Sequence, residues 1–317
     1  MLKSIAKNAL ELVVLLVLSS AVIFLLVSAS PIDPITSNYG QVAASKMSAA
    51  KIASLKEYWG VGKPVLERLA AWIGQVLQGN LGESLIYNEP VTNVIARGIS
   101  NSLPMLTIAW LLSGLFGYAL GLYSEMKRSK LSVKILDAFN FVLMSSPTYW
   151  IAILLLVVFS INLGWINVGS ANTFESALLP CIVLTLSGIP VVFFHTKTKC
   201  KEILKSDYVA YAKTNGLNVK EIFKKHVIKN ASFPFISIQF AQIAEIIGGS
   251  VVVEQVFSFP GLGYVTVNAA CGSDVTLLAG ISLVTCVIVF IGSFLANTIT
   301  VLLDPRLKRQ KVNNAGA

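Results

Sequence analysis

The stretch SDYVAYAKTNGLNVKEIFKKHVIKNASF, residues 206–233, is a basic and polar segment in a chain that is otherwise apolar. It contains two acids, Asp207 and Glu221, and five lysines, Lys213, Lys220, Lys224, Lys225 and Lys229. Long apolar runs flank it on both sides. Because charged side chains are costly in hydrocarbon, this segment is expected to lie in water between two membrane-buried parts of the chain.

The composition around that segment is typical of a membrane protein. Of the 317 residues, 55% are hydrophobic and only 13% are charged, whereas soluble domains carry about 25% charged residues. The four cysteines lack the spacing of metal ligands, and two histidines are too few for a dedicated metal site. We therefore predict no disulfide framework and no metal site on this chain.

Six apolar runs approach or exceed the roughly 20 residues that cross a bilayer. They are predicted at Leu10–Ser28, Ser102–Ser124, Ile135–Ile161, Leu178–Phe194, Phe235–Val253 and Leu277–Leu303. The first run also resembles a secretory signal peptide that ends near Val27–Ser30. It exceeds the roughly 7–15 residue apolar core of such peptides, so we expect it to be retained as a span.

The predicted fold is an all-α integral membrane protein with six transmembrane helices. Residues 1–29 would form a cytoplasmic N-terminus and the first helix, and residues 30–101 a large extracytoplasmic subdomain. Residues 102–303 would form the core transmembrane domain, with the basic segment at 207–230 on the cytoplasmic side, and residues 304–317 a cytoplasmic tail.

The distribution of lysine and arginine predicts the orientation. With the N-terminus in the cytoplasm, 19 of the 25 basic residues fall in cytoplasmic segments, and the C-terminus is cytoplasmic as well. Basic residues concentrate on the cytoplasmic side of membrane proteins. The net charge of +9 is therefore attributed to topology, and no nucleic-acid partner is expected.

The long loop at 30–101 contains one predicted helix, from Pro64 to Gln78, which ends before Gly79-Asn80. Proline suits a first helical turn and glycine suits a helix end. Its predicted apolar face consists of Leu66, Leu69, Ile73, Val76 and Leu77. This helix would cap the outer mouth, provide a docking surface for a partner, or do both.

Within the basic segment, we predict a helix that ends over Asp207–Thr214, a turn at Gly216, and a short amphipathic helix across the membrane plane. Asn218 and Glu221 have the spacing of a capping box at the start of the second helix. Its apolar face would consist of Val219, Ile222, Phe223 and Val227. Taken alone, this pattern also fits an interfacial helix that rests on anionic lipid.

The wider sequence pattern identifies a family resemblance. The segment carries the motif DYVxxAxxxGL…H…NAxxP at Asp207-Tyr208-Val209, Ala212, Gly216-Leu217, His226, Asn230-Ala231 and Pro234. Three further motifs are QGNLGESL (Gln78–Leu85), VVVEQVFSFPGLG (Val251–Gly263) and LLDPRLK (Leu302–Lys308). Over nearly its whole length the chain resembles the first-type permease subunits of ABC importers for dipeptides, oligopeptides and nickel.

The resemblance implies that the basic segment contains a coupling helix, which sits in a groove of a separate ATPase subunit. The implied coupling residues are Asp207, Tyr208, Ala212, Gly216, Leu217, Ile222 and Phe223. Of these, Ile222 and Phe223 are expected to insert into the ATPase groove. The chain has no G-x-x-x-x-G-K-[ST] phosphate-binding loop, so energy must come from a partner.

The same resemblance implies the assembly and its location. The partners would be a homologous second permease in a heterodimer, two ATPase subunits, an extracytoplasmic solute-binding protein and membrane lipid. ATP and magnesium would be bound by the ATPase subunits, with no cofactor on this chain. The chain would be a transport component of a bacterial or archaeal cytoplasmic membrane, not an enzyme. Its solute would be a peptide or, as the next choice, a metal such as nickel or a metal chelate.

Polar residues in the fifth span predict the translocation path. Gln239, Gln242 and Glu245 follow one another at i, i+3 and i+6 and fall roughly on one helical face. A carboxylate within a span usually faces a bundle interior or a water-filled path. Glu245 would interact with a cationic group of the solute; alternatively, it pairs with a partner subunit or is protonated.

Residues near the outer end of that span are candidates for a gate or hinge. They are Gly248, Gly249, Glu254, Pro260 and Gly261. The alternatives are close helix packing for the glycines and a tight Pro-Gly loop for the turn SFPGLG. Close packing is also predicted for Gly114, Gly117 and Gly121, and helix kinks for Pro147 and Pro190.

An ion-gradient-driven secondary transporter is the rival function, in which Glu245 would be a proton or sodium site. Inverted repeats and broken helices would favour it, and neither is evident in the sequence.

Overall fold

The computed structural model describes residues 2–29, 35–36, 44, 47–58, 63–126, 130–166 and 174–303. In the N-terminal part of the chain, the described helices include α1 Leu2–Ala29, α2 Ala49–Tyr58 and α3 Val65–Leu77. The next four are α4 Val91–Met126, α5 Lys130–Ser145, α6 Thr148–Leu155 and α7 Phe174–Leu204, and α6 continues as a π-helix over Leu156–Asn162. The basic segment forms α8 Asp207–Thr214, α9 Val219–Ile222 and a π-helical turn at Phe223–Val227. The last three helices are α10 Ile228–Val256, α11 Leu262–Cys271 and α12 Val275–Leu303.

Among the described residues, four helical runs are long and apolar enough to cross a membrane, or five if one bent pair is counted as a single span. They are Val91–Met126, Glu175–Leu204, Val219–Val256 and Val275–Ala296, with the bent pair Leu131–Ser145 and Thr148–Asn162. The apolar stretch of α1, Leu12–Val27, is shorter than these. The all-α membrane class is confirmed, and each predicted span coincides with a helix or a helix pair.

The predicted third span, Ile135–Ile161, is not one helix. It breaks between α5 and α6, which meet at an angle of 102°. Pro147 begins the second helix, because its backbone oxygen accepts from Trp150 N and Ile151 N while the proline has no N–H to continue α5. The expected proline kink is therefore a complete break. By contrast, α7 passes through Pro190 without interruption.

The chain divides into two compact units, residues 1–103 with 260–290 and residues 104–259 with 291–317. The first unit contains all of the predicted range 30–101, whereas the predicted range 102–303 is divided between the two units. The predicted tail, residues 304–317, lies outside the described residues.

In the first unit, α3 packs against α1 and the start of α12. Its core consists of Phe24, Trp72, Val275 and Ala279, with Val65, Leu69, Ile73 and Val76 packed alongside. The predicted ends of α3 are confirmed at Pro64 and at Gly79, whose φ is +81°. The predicted apolar face is wrong at Leu66 and Leu77, which are 75% and 84% exposed. The buried face instead includes Trp72, which is next to the predicted Ile73 but was not part of the predicted face.

In the second unit, glycines let α4 approach α7 closely. A Cβ added at Gly117 would lie 2.6 Å from Val192 Cβ, and one added at Gly121 would lie 2.7 Å from Thr196 Cβ. The packing role predicted for these glycines is confirmed. Small residues at such crossings allow tight helix contacts in membranes.

Candidate functional site

The basic segment begins with a helix–turn–helix whose local geometry is largely set by its sequence. α8 ends at Thr214, and Gly216, two residues later, adopts φ +84° at a place where an added Cβ would meet none of the described residues within 4 Å. Asn218 Oδ1 accepts from Glu221 N at 3.0 Å, and Glu221 Oε2 accepts from Asn218 N at 2.9 Å. The predicted turn and capping box are therefore confirmed.

The apolar side chains of this segment pack into the chain itself. Ile222 and Phe223 are 1% and 3% exposed. Their cluster contains Cys200, Ile203, Val209, Ala212, Val227 and Ala231, with Leu217 packed at its edge. The expectation that Ile222 and Phe223 insert into an ATPase groove is wrong, because both side chains are buried against α7 and α8 of the same chain.

The exposed surface of the segment lies on α8 and on the lysines. Tyr208 and Tyr211 are 45% and 70% exposed, and Asp207 is exposed at the start of the helix. Tyr208 is partly fixed, since its hydroxyl accepts from Asn230 Nδ2 at 3.2 Å. The lysines Lys213, Lys220, Lys224, Lys225 and Lys229 are exposed as well. The segment thus exposes lysines and tyrosines, while its apolar side chains pack into the buried cluster that contains Ile222 and Phe223.

The second half of the segment does not form a separate helix across the membrane plane. From Val219 the chain is helical without a break to Val256, with the π-helical turn at Phe223–Val227. Here the expectation of a distinct short helix before the fifth span is wrong. The turn of the chain occurs earlier, at Gly216.

The polar residues of α10 do not share one environment. Gln239 is 6% exposed and donates to Trp110 O, while Trp110 Nε1 donates to Gln239 O at 2.6 Å. Gln242 is 3% exposed and donates to Gly188 O at 2.9 Å. Both glutamines tie α10 to neighbouring helices. Their predicted place on the face that lines the translocation path is therefore wrong, because both amides are buried and form hydrogen bonds to neighbouring helices.

Glu245 lies on a different, uncovered side of α10. Its exposed neighbours at helical spacing are Ala241, Ala244, Gly248, Val252 and Gln255. An added Cβ at Gly248 would meet none of the described residues within 4 Å, whereas one at Gly249 would lie 3.8 Å from Leu184. Within the described part of the second unit, Glu245 thus lies on an exposed side of α10.

The three remaining gate candidates, Glu254, Pro260 and Gly261, belong to well-packed structure. Glu254 is fully buried in the second unit, where its backbone oxygen accepts from Phe259 N at 2.8 Å. In the first unit, Asn101 Nδ2 donates to Pro260 O at 2.8 Å, and Gly261 precedes the first residue of α11. The turn is therefore anchored to α4 within its own unit.

Asp274, which was not predicted from the sequence, forms several hydrogen bonds within the first unit. Asp274 is fully buried and accepts from Ser84 Oγ at 2.7 Å, Leu85 N at 2.6 Å, Ile86 N at 3.3 Å and Leu277 N at 3.0 Å. Burial raises the pKa of this carboxyl, and the bonds it accepts oppose that shift. An aspartate directly before a long apolar run is an N-cap signal that identifies it in hindsight.

This aspartate gives a structural reason for the motif QGNLGESL. Ser84 and Leu85 supply donors to Asp274, and Gly82 adopts φ +88° where an added Cβ would lie 2.6 Å from Thr276. The motif therefore docks onto the start of α12.

Comparison with known proteins extends these observations. The family described as the binding-protein-dependent transport system inner membrane component matches residues 117–309. The N-terminal family of binding-protein-dependent transport system membrane components matches residues 1–90.

Similar curated proteins match over most of their length. The oligopeptide transport system permease protein AppB of Bacillus subtilis is 28% identical, over 90% of this chain and 92% of its own. The metal-staphylopine import system permease protein CntB of Staphylococcus aureus is 30% identical, over 97% of this chain and 99% of its own. A solved structure of the MetNI methionine ABC transporter, described as inward facing, gives a TM-score of 0.57 at 15% identity. That match covers 67% of this chain and 97% of the other, and it supports the fold.

Together, the multi-pass helical architecture and the family matches establish a transport component of the inner membrane rather than an enzyme. These matches do not favour the rival function, an ion-gradient-driven secondary transporter. The chain belongs to the binding-protein-dependent transport system inner membrane component family and is a permease subunit of an ABC importer.

Proposed function

We propose that this permease subunit crosses the membrane six times, with α1 and the α5–α6 pair each forming one crossing. Both termini then lie in the cytoplasm, in agreement with the bias of lysine and arginine. Single cysteines in place of Lys56 and Lys220, in a chain without its native cysteines, test this arrangement. A membrane-impermeant maleimide should label the first position in intact cells and the second only after permeabilisation; the reverse pattern contradicts the proposal.

The subunit forms half of a translocation path, and the uncovered side of α10 lines it. The observation that carries this proposal is the position of Glu245, a carboxylate inside an apolar helix on a side that its own unit leaves open. Ionisable residues at such depths usually face a bundle interior or a water-filled path. The second wall of the path comes from a homologous permease.

The test of this path is the substitution Glu245→Gln in the assembled transporter. The substitution removes the attraction between the carboxylate and a cationic solute. Because a hydrogen bond to a charged group is worth about 1.5–3 kcal/mol, we expect about tenfold slower uptake of a lysine-containing tripeptide. Uptake of a trialanine probe should change less than twofold. Glu175→Gln, an exposed glutamate at the start of α7, is the matched control. Unchanged uptake of both peptides by Glu245→Gln rules out the proposed contact.

Coupling to the ATPase subunits occurs through the exposed side of α8. The arrangement of this helix supports the proposal, because Val209 and Ala212 anchor it while Tyr208 and Tyr211 remain accessible. The buried pair Ile222 and Phe223 supports α8 from beneath rather than contacting the ATPase. Because α8 packs against the membrane helices in this way, a movement of the ATPase that displaces α8 would also displace those helices.

Substitution of Tyr211 tests the coupling surface. Exposed tyrosines are frequent hot spots, and truncation of one costs about 2 kcal/mol or more when it is central to an interface. Tyr211→Ala should therefore weaken retention of the ATPase at least tenfold and lower solute uptake. Tyr149→Ala, at a tyrosine that is 51% exposed on α6, is the control. Equal effects of the two substitutions would contradict an assignment of coupling to α8.

The complete importer would contain this chain, a second permease in a heterodimer, two ATPase subunits that hold ATP and magnesium, and an extracytoplasmic solute-binding protein. Peptides are the proposed solutes, because relatives include permease proteins named for oligopeptide and dipeptide transport. Metal chelates are the second choice, from the relative named for metal-staphylopine import. Identification of the ligand that co-purifies with the solute-binding protein decides between them.

A further inference from the structure

The first unit contains a cavity of about 460 Å³ that the proposed path does not use. Its apolar floor is formed by Phe24, Trp72 and Val275, which are 3%, 6% and 4% exposed. The rings of Phe24 and Trp72 are 5.6 Å apart, and Trp72 Nε1 donates to Leu81 O at 3.2 Å. The floor is therefore fixed by packing and by a hydrogen bond.

Side chains of both charges surround this floor. The cationic ones are Lys63 and Arg68, and the acidic ones are Glu57, Glu67 and Glu83. Among the described residues, none of the ion pairs involves Lys63, Arg68 or Glu67. Arg68 is half-buried, and burial lowers the pKa of its guanidinium. A partly desolvated cation without an ion-pair partner favours an anionic ligand group.

The wall of the cavity is built by the motif QGNLGESL and by Asp274. Gly82, Glu83 and Leu85 line the cavity together with Thr276. Asp274 holds this loop in place by accepting from Leu85 N and from Ser84 Oγ. The loop that forms this wall is thus held by hydrogen bonds to the buried Asp274 carboxylate.

We propose that this cavity binds a solute that carries an ammonium and an acid group on a small apolar body, as a short peptide does. Arg68 and Lys63 hold the acid group, Glu67 with its acidic neighbours holds the ammonium, and an apolar side chain rests on Trp72. The inference rests on the proposed peptide function and deepens it, since the site lies in the unit that contains the first extracytoplasmic loop. It gives this permease a capture site apart from the uncovered side of α10.

The test uses the assembled transporter in nanodiscs of phosphatidylglycerol and the dipeptide Leu-Phe as probe, with binding measured by isothermal titration. Arg68→Gln and Glu67→Gln should each weaken binding about tenfold, because each removes one charge-assisted contact. N-acetyl-Leu-Phe-amide, which lacks both charges, should not bind measurably. Lys51→Gln, at an exposed lysine of α2 outside the cavity, is the matched control and should bind as the wild type does.

Several results would overturn the inference. Equal binding by wild type, Arg68→Gln and Glu67→Gln would exclude the cavity. Loss of dipeptide binding when phosphatidylethanolamine replaces part of the lipid would assign the site to a lipid headgroup. Weaker affinity for the solute-binding protein with unchanged dipeptide affinity would assign it to protein docking. Failure of the wild-type transporter to import any peptide would instead contradict the proposed function, so the two failures are distinguishable.

Discussion

Removal of the Asp274 carboxylate should loosen the attachment of residues 82–86 to the start of α12. Four donors converge on this carboxylate, and three of them are backbone N–H groups, those of Leu85, Ile86 and Leu277 at 2.6, 3.3 and 3.0 Å. Each buried donor left without a partner costs about 1–3 kcal/mol. Against this, the substitution removes a buried charge whose cost is evident in the raised pKa. We expect the net loss for Asp274→Ala to be about 3 kcal/mol.

Amide hydrogen exchange of the assembled transporter, followed by mass spectrometry, measures this loss locally. A loss of about 3 kcal/mol corresponds to roughly a hundredfold faster exchange over residues 82–86. Asp274→Asn, which keeps one acceptor oxygen for Leu277 N, should have a smaller effect. Ser84→Ala should have the smallest, at about 1 kcal/mol. Glu202→Ala, at an exposed ion pair with Lys199, is the null control.

Exchange within a factor of two of the wild type in Asp274→Ala would refute this reasoning. It would mean that relief of the buried charge offsets the lost hydrogen bonds, or that water replaces the carboxylate. A larger effect in Ser84→Ala than in Asp274→Ala would also contradict the assigned role, since it would place the strength of the attachment in the hydroxyl.

Three further predictions concern the second unit. Gly216→Ala should lower the free energy of unfolding by about 1 kcal/mol, because a φ of +84° strains a residue with a Cβ even where there is space for the methyl group. Gly216→Asn should lower it by less in the same denaturation assay, because asparagine tolerates the left-handed backbone conformation. Ile222→Ala should cost about 2–5 kcal/mol as a buried large-to-small change, whereas Val219→Ala, at a site 39% exposed, should cost below 1 kcal/mol. Gly114→Val should disrupt the contact of α4 with Gln239, where even a Cβ would lie 2.5 Å from the amide, and a normal yield of folded transporter would contradict that packing.

Much of the local structure follows from short-range sequence signals. The capping box at Asn218 and Glu221 and the helix ends at Pro64 and Gly79 depend on a few neighbouring residues, and all were predictable. The break at Pro147 was foreseen only as a kink, because whether a proline bends or ends a helix depends on what packs around it.

Long-range partners explain the errors. Gln239 and Gln242 lie at a spacing that suits a polar face, but their amides meet the backbone of Trp110 and Gly188, 129 and 54 residues away. In the same way, Ile222 and Phe223 form an apolar pattern whose partner is the chain itself. Helical periodicity identifies a face but not what covers it.

Cross-linking in native membranes tests the central proposal, that an ATPase drives this permease through α8, most directly. A single cysteine is placed at Tyr211, and a second one at Tyr149 serves as control, both in a chain that lacks its native cysteines. We expect that a short maleimide–benzophenone reagent, attached through its maleimide to the introduced cysteine and then photoactivated, joins the Tyr211→Cys chain, and not the Tyr149→Cys chain, to the ATPase subunit. Absence of that product, or labelling of Tyr211→Cys by an impermeant reagent in intact cells, would contradict it.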